Sequence, residues 1–270
     1  MYPILWRVGA YTLYSYTLLL TIGMLAGVWI SYLLARRRWA RPQLLFDAGF
    51  WALVGGVLGG RLGYVLHNGA YFVDHLGLAV AFWQGGLSWH GALIGGVVGV
   101  LGWWAVSRPR SLSRRDLLNV LAPGIALGNA LGWAGCLLTG SAYGAEAGGY
   151  RLPLAWLTAN LPDIYGVWEV RFATQPLMMA WCVLVFLLLF IIEYRSFHSP
   201  TFALYLLLYA SADFGVAFLR GDGAWRVGLW LGQWVALGEM VIAVGLLIFD
   251  RQCVGIVQPG PSGGDLTGTG

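Results

Sequence analysis

An all-α membrane protein of seven transmembrane helices, with a small periplasmic or extracellular head, its N-terminus outside and its C-terminus inside, is the fold this sequence predicts. Three observations carry that expectation. Of 270 residues, 59% are hydrophobic and only 10% charged, where a soluble domain is typically about 25% charged. Seven apolar runs have roughly the ~20-residue length that a bilayer core demands: Thr12–Leu34, Ala48–Leu66, Trp89–Val106, Leu117–Leu138, Leu177–Ile192, Phe202–Leu219 and Gly228–Phe249. Finally, arginines collect in alternate loops, as the positive-inside rule requires of cytoplasmic segments.

The first run lacks a basic leader and an A-x-A-like cleavage site, so it is expected to stay as a span. Arg36, Arg37, Arg38 and Arg41 follow it. The second run carries the glycines Gly55, Gly56, Gly59, Gly60 and Gly63, small residues at a spacing that lets membrane helices approach closely, with Arg61 near its outer end. The third opens on a polar turn, Gln84-Gly85-Gly86, followed by Trp89, His90 and Gly91, and ends at Arg108, Arg110, Arg114 and Arg115. The fourth holds Asn119 and Asn129. A long outer loop, Ser141–Thr174, is polar enough to fold as a head, since unstructured loops of that length are uncommon. The fifth run, expected to be the shortest, precedes Arg195. The sixth holds Asp213 and ends at Arg220; the seventh holds Glu239 and precedes Arg251. Residues 1–252 thus form one membrane domain with head 141–174, and the Gly/Ser/Thr-rich tail 253–270 is expected to be disordered.

The chain has no lysine, and every arginine except Arg61 sits outside the apolar runs, so the formal charge of +4 does not point to nucleic acid as a partner. Cys136, Cys182 and Cys253 lack metal-ligand spacing and read as packing residues; neither a metal nor a cofactor is expected.

Ionisable groups at bilayer depth are costly and count as functional candidates. By this topology Tyr16, Arg61, His90, Tyr143 and Arg220 converge on the outer half of the membrane. Arginine's planar fork of donors suits a phosphate, and an imidazole beside it suits proton transfer. Two readings follow: a reaction on a phospholipid headgroup, or a binding site for an anionic lipid. Asp213 and Arg220 are seven residues apart, two helical turns, so Asp213 is expected to pair with Arg220 or with Arg61. A transporter using Asp213 and Glu239 is a third reading, and it lacks the inverted repeats of many such folds.

W-Q-G-G-L-S-W-H-G-A-L-I-G (Trp83–Gly95) resembles the signature block of bacterial prolipoprotein diacylglyceryl transferases. G-G-R-L-G-Y-V-L (Gly59–Leu66), A-P-G-I-A-L-G-N-A-L-G (Ala122–Gly132), G-S-A-Y-G (Gly140–Gly144), F-L-R-G-D (Phe218–Asp222) and G-Q-W (Gly232–Trp234) match further blocks in order. The resemblance implies a multi-pass enzyme of the bacterial cytoplasmic (inner or plasma) membrane. Such an enzyme moves the diacylglyceryl group of phosphatidylglycerol, or another anionic phospholipid, to the lipobox cysteine at the signal peptide of a prolipoprotein. It also implies roles: His90 and Arg220 catalytic, Tyr16, Arg61, Gly91, Gly144, Asp213 and Gln233 on the lipid. The chain departs from the family pattern at Trp133 and Asp213, where arginines are expected, at Ala217 in place of glutamate, and at Asn119 in place of aspartate. The departures suggest the alternative of a silent paralogue, a lipid-binding or scaffold subunit with partners in a membrane complex.

Overall fold

The computed structural model describes residues 4–8, 11–39, 41–81, 88–107, 113–147, 157–163, 165–196, 199–222, 225–226 and 228–255. The tail from residue 256, and parts of the turn before His90 and of the head, lie outside the described residues. The chain divides into two compact units, residues 32–117 on one hand and residues 1–31 with 118–270 on the other.

Unit 32–117 holds the end of α1 (Ser15–Arg38), α2 (Leu44–His67), the short α3 (Gly69–Asp74), a 3₁₀ turn (Leu76–Leu78) and α4 (Trp89–Ser107). Gly55, Gly59 and Gly63 recur every fourth residue on α2, as do Gly91, Gly95 and Gly99 on α4, and the two rows face each other. A Cβ on Gly59 would overlap the Gly91 carbonyl and sit 2.7 Å from the Gly95 Cα. A Cβ on Gly95 would overlap the Gly55 carbonyl. Main chain therefore packs on main chain, as small-residue membrane interfaces do.

The other unit opens with a hairpin, β1 (Ile4–Val8) and β2 (Tyr11–Tyr14), that runs directly into α1. The first apolar run was expected to begin at Thr12; it begins as strand because Tyr11–Tyr14 is rich in the aromatic and β-branched residues that favour one. Then come α5 (Arg114–Thr139), a second hairpin, β3 (Thr158–Pro162) and β4 (Trp168–Phe172), α6 (Thr174–Arg195), α7 (Thr201–Ala217), a third hairpin, β5 (Trp225–Arg226) and β6 (Leu229–Trp230), and α8 (Leu231–Gly255). Within this unit α1 meets α5 through glycine: a Cβ on Gly124 would overlap the Gly27 carbonyl. Elsewhere side chains do the packing. Ala122 and Ala126 of α5 meet Val185 and Leu189 of α6 and Tyr205 of α7. One turn further on, Ala130 and Trp133 meet Met178, Cys182 and Val216.

Asn119 explains the tight α6–α7 turn. Its Nδ2 donates to the Ser199 carbonyl at 3.0 Å and its Oδ1 accepts the Phe202 N–H at 3.0 Å. The first turn of α7 is thereby capped from a different helix, since Pro200 at its own N-cap makes no side-chain hydrogen bond to it. An aspartate could accept from Phe202 but not donate to Ser199. In the same turn the buried Glu193 accepts a hydrogen bond from Thr201 Oγ1.

Five described helices are long and apolar enough to cross a membrane, Ser15–Arg37, Leu44–Leu66, Arg114–Thr139, Thr174–Arg195 and Gly232–Phe249; Thr201–Ala217 is apolar but shorter, and the Ile94–Ser107 part of the 19-residue α4 is likewise apolar. The architecture is that of a mostly helical membrane protein. The fifth apolar run, expected to be the shortest, is the 22-residue α6. It starts at Thr174 because Thr174 and Gln175 are buried by bonds to the preceding loop, Thr174 Oγ1 to the Ala142 carbonyl and Gln175 Nε2 to the Ser141 carbonyl. The shorter helix is α7, with 17 residues.

Candidate functional site

Arg220 lies three residues beyond the end of α7, in extended backbone paired with the loop after α5. Gly144 and Arg220 form an antiparallel bridge. The Ala145 N–H donates to the Leu219 carbonyl at 2.8 Å, and the Gly221 N–H to the Tyr143 carbonyl at 2.9 Å. The other edge of the same loop pairs with β4, where the Phe172 N–H donates to the Ala145 carbonyl and the Ala147 N–H to the Val170 carbonyl. Gly144 sits so close to β4 that a Cβ would overlap the Phe172 carbonyl. Glycine is required here by space, and the close approach fixes the strand on which Arg220 is carried.

The Arg220 fork closes on Asp222: Nε donates to Oδ1 at 2.9 Å and NH2 to Oδ2 at 3.0 Å. Burial alone would lower this guanidinium, but the hydrogen bond and charge of Asp222 outweigh it and hold the group above its ordinary value, so it is a permanent cation. The sequence-based expectation offered Asp213 as the partner of Arg220 or of Arg61. That expectation assumed a helix through both residues; α7 stops at Ala217, so the two-turn spacing no longer puts the side chains on one face. Asp213 does lie within the electrostatic reach of both Arg220 and Glu239.

Tyr16 and Cys136 belong to the same locality. A Cβ on Gly135 would lie 3.0 Å from the Tyr16 ring. Cys136 interacts with Ser141, Arg220 and Asp222, and Tyr16 with Cys136. Cys136 and Asp222 were not among the residues expected here. The thiol reads from sequence as packing, whereas Asp222 was visible as the last letter of F-L-R-G-D. Gln233, fully buried on α8, donates from Nε2 to the Phe214 carbonyl of α7 at 3.4 Å, which makes it a tie between helices. Trp133 is buried in the α5–α6–α7 core and hydrogen-bonds Tyr209; it fills its position as a core residue.

In unit 32–117, Arg61 donates from Nε to the Ala79 carbonyl at 2.8 Å and from NH2 to the Leu78 carbonyl at 2.5 Å. Its guanidinium also lies 5.6 Å from the ring centres of Tyr64 and Phe72. Next to it an apolar trough of about 640 Å³ runs along α2, lined by Leu53, Val57, Leu58, Leu62, Val65 and Val80 among others. Gly91 faces the Gly59 carbonyl as part of the glycine interface. His90 stands in the first turn of α4; its side chain lies outside the described residues. Among the described residues no three His, Cys, Asp or Glu side chains cluster as a metal would need.

A family model for prolipoprotein diacylglyceryl transferase matches residues 3–249. The chain belongs to the prolipoprotein diacylglyceryl transferase family. Relatives named phosphatidylglycerol–prolipoprotein diacylglyceryl transferase agree with this over most of their length. The protein of Nostoc sp. is 31% identical over 257 residues, 90% of this chain and 87% of the relative. That of Gloeobacter violaceus is 32% identical, covering 93% of each, and a Streptomyces coelicolor protein numbered 1 is 31% identical, covering 94% of this chain and 75% of its own length. Membership makes the chain a transferase of the bacterial inner membrane, and the apolar helices agree with that location.

Proposed function

We propose that this chain transfers the diacylglyceryl group of phosphatidylglycerol to the lipobox cysteine thiol of a prolipoprotein. The observation that carries the reading is the family match across residues 3–249, from the first hairpin to α8. The silent-scaffold alternative, with partners in a membrane complex, is not favoured by relatives that are named as transferases along nearly the whole chain.

In this reading the membrane domain covers residues 1–252 and crosses the bilayer seven times, with the N-terminus outside and residues 141–174 as an outward head. His90 takes the proton from the substrate thiol. The thiolate attacks the diacylglyceryl carbon that bears the phosphoester oxygen; a carbon–sulfur bond forms, the carbon–oxygen bond breaks, and glycerol phosphate leaves, with the thiol proton left on His90 to be returned to the phosphate or to water. The nucleophile belongs to the substrate. Arg220, a cation aimed by Asp222, grips the phosphate as charge shifts onto the leaving oxygen. Tyr16 and Gly144 shape the wall beside it. Asp213 and Gln233 act from the α7–α8 side, Gln233 by tying the two helices.

The test is lipidation of a lipobox peptide by the full chain in phosphatidylglycerol vesicles, with wild type beside His90→Ala. Transfer by wild type and its loss in a folded, membrane-inserted variant support the reading. Absence of transfer by wild type from any anionic phospholipid sinks it.

A further inference from the structure

The loop between the 3₁₀ turn and α4 is held at both ends by two consecutive residues of α2. At its start, Arg61 donates to the carbonyls of Leu78 and Ala79. At its end, the Ser88 N–H donates to the Gly60 carbonyl at 2.9 Å. Ser88 in turn starts α4: its Oγ accepts the Gly91 N–H at 3.3 Å and its carbonyl the Ala92 N–H at 2.8 Å, so it serves as the N-cap. Gly63 approaches the Ser88 Cβ so closely that a Cβ of its own would stand 3.1 Å away. The first turn of α4, which carries His90, is therefore indexed to the Gly60–Gly63 turn of α2, and Arg61 closes the near end of the same loop.

A guanidinium at this depth needs partners. Arg61 meets two carbonyl oxygens and two aromatic faces, all within its own unit, so the Nε and Nη2 edge of its fork is directed at protein rather than at a ligand. Resting on the transferase reading above, we propose that Arg61 is a positioning residue: it staples the Leu78–Ala79 stretch to α2 and so sets the first turn of α4, and it is not a grip on the lipid phosphate.

Lysine separates the two roles. It keeps the charge that a phosphate would feel but loses the planar fork that reaches two carbonyls at once. The experiment uses the full chain in phosphatidylglycerol vesicles, with Arg61→Lys as the main variant and Arg61→Ala beside it should the latter insert. Three quantities are read: kcat, the KM for phosphatidylglycerol, and amide exchange of Leu78, Ala79 and Ala81. Expected for Arg61→Lys is a fall in kcat of up to about 10²-fold, the size of effect that misplacement by about 1 Å produces. The lipid KM should stay within about twofold, since uniform binding is untouched, and the three amides should exchange faster. Two results overturn the proposal: a raised lipid KM with kcat and exchange unchanged, which is the signature of a headgroup ligand, or no change in any of the three. Should wild type show no transfer at all, the transferase reading fails on its own, and the exchange measurement still decides whether Arg61 holds the loop.

Discussion

Between α2 and α4 the contact is main chain on main chain, with Gly55, Gly59, Gly91 and Gly95 each placing a carbonyl against the other helix. Among α5, α6 and α7 the contact is made by side chains: Tyr205 and Leu189 between alanines, Asn129 donating to the Tyr205 hydroxyl at 2.8 Å, Trp181 donating to the Leu208 carbonyl at 3.1 Å. The glycine interface has shape but no chemistry of its own, and it tolerates no added atom. The side-chain interface specifies its register through individual hydrogen bonds, and it leaves room for substitution where those bonds are kept. That contrast accounts for Trp133: in a region that packs by side chains, an indole with one N–H donor can occupy a position where the family pattern has arginine.

The largest effect is expected at Arg220, where the extended strand delivers a cation to the proposed site. Arg220→Ala should lower transfer by about 10²–10³-fold, as removal of a donor to developing negative charge does, with the fold intact; unchanged turnover would move the phosphate grip elsewhere. Next comes the glycine interface. Gly95→Leu should destabilise the helix pair by ~3 kcal/mol, at the upper end of overpacking costs because backbone cannot swing aside as a side chain can. Thermal or denaturant unfolding in detergent measures it, and a neutral result would break the contrast drawn above. On the side-chain region, Asn119→Ala should cost ~1–3 kcal/mol, since it strands the Phe202 N–H and leaves the Ser199 carbonyl to Thr201 alone, whereas Asn119→Asp should recover part of the loss by keeping the acceptor. Smallest is Gly102→Ala on α4, where an added Cβ meets nothing within 4 Å; the change should stay within ~0.5 kcal/mol. Equal losses at Gly95 and Gly102 would mean that glycine matters on α4 for a reason other than space.

Much of this was legible in the residues. Apolar length marks each long helix, and small residues at helical spacing mark runs that approach another helix closely, though which helix they meet is seen only in the fold. What the residues did not show were local answers to local problems. Thr12 looks like the start of a span because a strand of aromatic and β-branched residues is as apolar as a helix; only the pairing of Tyr11–Tyr14 with Ile4–Val8 separates them. The Asp213–Arg220 spacing has meaning only inside a helix, and nothing in the letters says that α7 ends at Ala217. For Arg61 the cost of a cation inside an apolar run was plain, but its hydrogen-bond partners include backbone carbonyls, which carry no sequence signal. The matched blocks identified the family and implied lipid roles for Arg61 and Gln233, but gave no sign that both side chains also bond backbone carbonyls of the protein.

The glycine interface has one more consequence. A leucine or phenylalanine that enters a helix contact must give up its freedom among rotamers, at a cost of ~0.5–1 kcal/mol per leucine. Glycine has none to give up. Docking α2 on α4 along this seam therefore requires no sorting of side chains, while α5, α6 and α7 must each settle Tyr205, Leu189 and Trp181 into single orientations before they fit. The helical hairpin α2–α4 is thus expected to close before the rest of the bundle, which would place Ser88 and the turn after it ahead of the strand that carries Arg220. Pulse-labelling of the Gly95 and Ala126 backbones during refolding into bilayers would show that order, and protection of Ala126 first would reverse it.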